Sequence, residues 1–174
     1  MLQFFMQDIL EIIKTRRSIR KFKQESPPED LIKKCIEAAL YAPSSMNSQP
    51  WYFVIVKDRA KIKEIAKVQK FTKFLENAPY IIVALADEKR SKHWLEDMGC
   101  SLMALLLEAH SLGLAACWGA VYNPDNKDRE NYIRQVIDIS ENLRIISCIG
   151  IGYPDEIPHP KKVKTLEEAI IKII

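Results

Sequence analysis

The chain has only 5 glycines among its 174 residues, 4 cysteines, 3 histidines and a formal net charge of +3. With so little glycine and only 9 prolines there is no collagen-like or low-complexity segment. A balance of 48% hydrophobic to 28% charged residues excludes a disordered chain. Cys35, Cys100, Cys117 and Cys148 show no CxxC or zinc-ligand spacing, and each sits among apolar neighbours. They read as small buried hydrophobes in a reducing, cytoplasmic compartment, because a chain of this length needs no disulfide staple. No export signal is read in "MLQFFMQDILEII", where Gln3, Gln7, Asp8 and Glu11 fit an amphipathic helix instead. The most apolar internal run, "LMALLL" at 102–107, is too short to span a bilayer. Also missing are a GxSxG elbow, an HExxH zinc motif, a Walker loop, a paired-carboxylate motif and a GxGxxG turn after a strand. His93, His110 and His159 are scattered without ligand-type neighbours, which argues against a metal centre.

What is present is an alternation of helical and strand patterns, read as one domain over 1–174. Met6, Ile9, Leu10 and Ile13 give residues 6–15 an apolar helical face. "SPPEDLIKKCIEAALYAP" predicts a helix with Ser26 as N-cap, Pro27 at the first position and Glu29 at the third, closed by Pro43. "WYFVIV" at 51–56 reads as a strand, 59–76 as a helix, and the wholly apolar "YIIVALA" at 80–86 as a strand covered on both faces. Residues 95–112 form the most apolar helix, expected at the centre. A short strand follows Gly113, a charged helix occupies about 128–137, and a last strand ends at Gly152 and Pro154. Strands separated by long helices imply mixed α/β construction around one core. The isoleucines of the tail "LEEAIIKII" are costly to leave in water and predict docking onto another surface.

Two polar features stand out. From Lys14 to Lys23 there are six basic residues and no acid. That run is a solvated helix end, an anion site or a nucleic-acid contact. Arg16, Arg17 and Arg20 offer guanidinium forks matched to phosphate, Ser18 a neutral donor, and Lys161, Lys162 and Lys164 repeat the charge near the C-terminus. The second feature is "YAPSSMNSQPWYFVIV" at 41–56, in which Pro43, Ser44, Ser45, Asn47 and Gln49 lie between a helix end and a strand. Its hydroxyls and amides suit the edge of a heterocycle, or they simply bond their own loop.

"RRSIRKF" at 16–22, "APSSMNSQPWYFVIV" at 42–56, "DMGCSLMALLLEAHSLGLAACWGAVY" at 97–122 and "CIGIGYPDE" at 148–156, followed by "PKKVKTLEEAI", occur in the order typical of the nitroreductase family, which the chain resembles over nearly its whole length. The resemblance implies an α+β subunit with a central mixed, antiparallel-rich β-sheet flanked by helices. It also implies a homodimer holding FMN noncovalently at the subunit interface. By the same resemblance Arg16, Ser18 and Arg20 meet the flavin phosphate, ribityl chain and pyrimidine edge, with Arg17 sharing the first role. Pro43, Ser44, Ser45 and Asn47 line the flavin, and Trp118 and Gly119 run beside its ring system. Lys161, in preference to Lys162, is the C-terminal phosphate ligand. The implied activity is ping-pong transfer of electrons from NADH or NADPH to a nitroaromatic, quinone or similar organic acceptor, with no side-chain nucleophile. The other readings are a flavin carrier or sensor without turnover, and a phospholigand or nucleic-acid binding protein, against which the modest net charge weighs.

Overall fold

Four runs rich in β-branched, aromatic and small apolar residues become β1 (Trp51–Val56), β2 (Tyr80–Ala86), β3 (Ala115–Ala120) and β4 (Arg144–Gly152) in the computed structural model, which describes residues 8–174. They form one sheet of order β1-β2-β4-β3 in which every ladder is antiparallel. Among the described residues a parallel pairing enters only at the β3 edge, where Ser18 bridges Ala116. The helices are α1 (Ile9–Thr15), α2 (Glu29–Leu40), α3 (Arg59–Ala66), α4 (Trp94–Ser111), α5 (Asp128–Ile137) and the short α6 (Leu166–Ala169). This is the expected α+β architecture.

The central strands β2 and β4 are buried at every position, as their unbroken apolar runs require. Alternate residues of β2 divide between two cores. Tyr80, Ile82, Ala84 and Ala86 pack with α2 and α4, whereas Ile81, Val83 and Leu85 pack with α3, α5 and Leu75. A bulge where Ala84 and Leu85 pair with Ser147 and Ile145 inserts Ile146 as an extra residue. It shifts the phase of β4, so that Ile146 and Ile149 face the first core while Ile145 and Cys148 face the second.

The pattern read as one helix over 59–76 divides into α3 and a 3₁₀ segment, Lys70–Asn77. The break lets residues 72–79 drop onto the sheet. A Cβ at Gly119 would lie 2.9 Å from the Cys148 carbonyl and 3.1 Å from Thr72, and one at Gly150 would lie 3.0 Å from Leu75. Thus Gly119 and Gly150 serve close approach of this segment.

The second helix starts later than its sequence signature implies, with Pro28 as N-cap and Glu29 as its first residue. A residue preceding proline is driven out of the helical region, so Pro27 cannot begin the helix. Its carbonyl instead accepts the Tyr80 hydroxyl at 3.2 Å. Cys35, Cys117 and Cys148 are buried as expected, but Cys100 is exposed, because it lies off the face of α4 that carries Met98, Leu102, Leu105 and Ala109 into the core. Ile9, Leu10 and Ile13 of α1 are exposed, and Met6 lies outside the described residues. The tail isoleucines Ile170, Ile171, Ile173 and Ile174 are exposed as well, so no surface among the described residues covers them. No helix among the described residues is long and apolar enough to cross a membrane.

One buried ion pair anchors α5 to β4. Arg144 donates to both carboxylate oxygens of Glu130, at 3.0 and 2.7 Å, and to Glu88 at 2.9 Å. Glu130 is 1% exposed and also accepts the Ile145 amide at 2.9 Å. The guanidinium lies over Tyr122 and Trp94, 4.7 and 5.7 Å from their ring centroids. Glu130→Ala should leave Arg144 with the more exposed Glu88 as its remaining carboxylate partner and cost about 3–5 kcal/mol. Chemical denaturation will measure it, and a loss below about 1 kcal/mol would contradict the pairing.

Candidate functional site

The basic segment leaves α1 at Arg16 and runs along the β3 edge, held by the Ser18–Ala116 bridge and by the Ile19 amide donating to the Ala116 carbonyl at 3.3 Å. Phe22 bridges Pro154, and the Glu156 carboxylate accepts the backbone amides of Arg20 and Lys21. These contacts fix the direction of three arginines with different fates. The Arg17 guanidinium donates to the carbonyls of Lys14, Arg16 and His159. Arg20 is exposed, with its guanidinium 5.9 Å from the Phe74 ring centroid. Of these three, Arg16 has a buried Nε without a protein partner among the described residues.

Arg16 lines a cavity of about 280 Å³ together with Thr15, Arg17, His110 and apolar walls from Ile19, Leu106, Leu114 and Ile157. The Thr15 hydroxyl donates to the Glu11 carbonyl at 2.6 Å, which leaves its oxygen to accept Nε2–H of His110 at 2.8 Å. Burial, and then the charges of Arg16 and Arg17, lower the His110 pKa and favour its neutral form. Glu156 also lines the cavity, but its carboxylate is engaged by the Arg20 and Lys21 amides, so the unpaired Arg16 guanidinium leaves a place for an anion with a nonpolar body.

The serine-rich segment is a 3₁₀ turn, Ser45–Asn47, with Met46, Asn47 and Gln49 at φ of 51, 55 and 45°. Asparagine tolerates this left-handed region, whereas methionine and glutamine adopt it only when held there. Asp97, 5% exposed in the first turn of α4, supplies the hold: Oδ1 accepts the Ser45 amide at 2.9 Å and Oδ2 the Ser48 hydroxyl at 3.4 Å. The Ser44 hydroxyl accepts the Gln49 amide at 3.0 Å, and Asn47 takes the Gln49 side chain at 3.0 Å. The loop therefore does bond itself, yet Pro43 and Asn47 remain exposed and Ser44 and Ser45 half-buried.

Within one chain the structure does not bring the two polar features together. The loop is tied to Asp97 and the arginine segment to His110, thirteen residues along α4, a rise of about 20 Å at 1.5 Å per residue. Trp118 is half-buried and Gly119 buried in the edge strand β3, beyond the part that Ser18 covers. Lys161 and Lys162 are exposed, and the Arg17 bond to the His159 carbonyl leads their segment toward the arginines.

Sequence reading missed Thr15, next to Arg16, and also Asp97, His110, Phe74 and Gln69, which touch the site's parts from distant elements. Only Asp97 left a signal, as an acid at the start of an apolar helix. The buried thiols offer no nucleophile, since burial pushes Cys35 up to about 12 and raises Cys117 and Cys148. No cluster of potential metal ligands occurs among the described residues.

The sequence model of the nitroreductase family matches residues 13–72 and 66–153. The chain is 40% identical over 154 residues to a candidate NADH dehydrogenase/NAD(P)H nitroreductase of Methanothermobacter thermautotrophicus, covering 87% of this chain and 80% of that one. It superimposes with a TM-score of 0.87 on a candidate NADH dehydrogenase/NAD(P)H nitroreductase from Parabacteroides distasonis, at 33% identity over 93% and 96% of the two chains. For an FMN-dependent nitroreductase from Clostridium difficile the TM-score is 0.81, at 33% identity over 88% and 91%.

Asp97→Ala should release the strained loop, accelerating hydrogen exchange at the Ser45 amide and costing about 1–3 kcal/mol in stability. Unaltered exchange at Ser45 would show that the turn holds itself.

Proposed function

The chain belongs to the nitroreductase family, and we propose that it is an FMN-dependent oxidoreductase that passes electrons from NADH or NADPH to a small organic acceptor such as a nitroaromatic or quinone. Its fold is that of FMN-binding oxidoreductases. The observation that carries the assignment is the Arg16 guanidinium, buried at Nε without a protein partner, beside a cavity at the β3 edge. A flavin phosphate fits that donor, and the uncovered edge at Trp118 and Gly119 offers backbone groups to the polar rim of a flavin ring. When bound, FMN would supply two-electron redox chemistry, taking a hydride equivalent from the reduced nicotinamide and giving it up to the acceptor.

The chain's own residues bind and orient. Arg16 takes the phosphate, with Ser18, Arg17 and Lys161 or Lys162 nearby, and Arg20 places positive charge at the pyrimidine edge, where reduction deposits negative charge. Pro43, Ser44, Ser45 and Asn47 lie too far away to act on the same cofactor, so they serve the one bound by a second copy. Hence the site requires a homodimer. The exposed faces of α1 and the tail support this, because isoleucines of this number left in water call for a covering surface.

FMN added to the purified protein should stay bound through gel filtration and bleach under nitrogen with NADH or NADPH. Retained colour that neither nucleotide bleaches would point to a carrier. Arg16→Ala should weaken FMN binding roughly ten- to a hundredfold, for charged hydrogen bonds worth about 1.5–3 kcal/mol. Unchanged affinity by flavin fluorescence titration would reject the phosphate role. Truncation after Lys164 should shift the monomer–dimer equilibrium toward monomer in sedimentation, and an intact dimer at the same dilution would place the tail elsewhere.

A further inference from the structure

We propose that the groove between α3 and the 70–77 segment seats the phosphates of the electron donor and selects NADPH over NADH. The proposal rests on reading the chain as a nicotinamide-dependent flavoprotein. The groove encloses about 490 Å³ and gathers Lys63, Lys67, Lys70 and Lys73 from two elements against only Glu64 and Glu76. Lys67 is neutralised by Glu64 at 2.7 Å. Lys63, Lys70 and Lys73 have no carboxylate within 4 Å among the described residues.

Lysines on one exposed helix would simply point into solvent. Here the break between α3 and the 3₁₀ segment turns two sets of lysines toward one concavity, where their ammonium groups act as point charges for a phosphorylated ligand. The groove's position gives it a use. Gln69 lines it, and the Gln69 amide also donates to the Ala120 carbonyl at the end of β3. One side chain thus separates the lysines from the strand along which the flavin is proposed to lie. Between Lys70 and Lys73, Phe71 is 83% exposed and offers a flat apolar face to a base. A nicotinamide on a flavin beside Trp118 and Gly119 would trail its diphosphate over Gln69 into this groove. The extra 2′-phosphate of NADPH adds charge that the unpaired lysines can meet.

The test compares the FMN-loaded wild type with a Lys63→Gln, Lys70→Gln, Lys73→Gln variant, using NADPH, NADH and N-benzyl-1,4-dihydronicotinamide, a hydride donor without phosphate. The KM for NADPH should rise about tenfold in the variant, since removal of several exposed charge contacts sums to about 1–2 kcal/mol. The KM for NADH should rise less, while the phosphate-free donor reacts as before. Calorimetric affinity for NADP⁺ should fall in parallel, and the wild-type affinity should weaken with salt. An unchanged KM for NADPH, an equal loss with the phosphate-free donor, or a wild-type preference for NADH overturns the proposal. A wild type bleached by the phosphate-free donor but by neither nucleotide overturns the groove and leaves the flavoprotein reading standing. A wild type that retains no FMN overturns both.

Discussion

The length and rigidity of α4 organise the molecule. Its buried face packs Met98, Leu102, Leu105 and Ala109 against α2 and the sheet, and the Ser101 hydroxyl bonds the Ala39 carbonyl at 3.0 Å. Because this face is continuous, the helix cannot bend to bring its ends together. One end carries Asp97 and the strained serine-rich turn, and the other carries His110, Thr15 and the arginine segment. A chain built on such a strut holds the two polar features about 20 Å apart along the helix, and on the proposed reading each half-site is completed by its counterpart from another copy.

The second constraint is the exposed edge of the sheet. An uncovered edge strand invites unwanted pairing, and β3 deals with it in parts: Ser18 covers Ala116, Gln69 occupies the Ala120 carbonyl, and the stretch between them stays available. The same edge receives the 70–77 segment from the inner side through Gly119. The lysine groove and the sheet packing therefore meet along the six residues of β3, where the cofactor is proposed to lie. The buried Arg144–Glu130 pair sits at the opposite end of β4 and fixes Tyr122, which follows this strand.

Much of the fold was legible because its causes are local. The apolar runs of β2 and β4, the period of α4 and the charged face of α5 each appear in consecutive residues. Misreadings arose where two local rules competed or tertiary contact decided. Ser26 looked like an N-cap, but the tandem prolines moved the helix start to Glu29. The 59–76 pattern looked continuous, but seating Thr72 and Leu75 on the sheet required a break. Cys100 looked buried by its neighbours, yet helical phase turned it outward.

By itself the sequence determined the element order, the antiparallel-rich α+β plan and the residue types for holding an anion and a polar ring, since periodicity and motif order reside in neighbouring residues. Only the tertiary structure decided which arginine of the 16–20 segment keeps a buried, unpartnered Nε, that Asp97 clamps the serine turn from 52 positions away, and that the lysines of two segments share one groove. Those outcomes depend on distances through space. The separation of the two half-sites is the clearest case, because nothing in the order of the motifs states that a rigid helix stands between them.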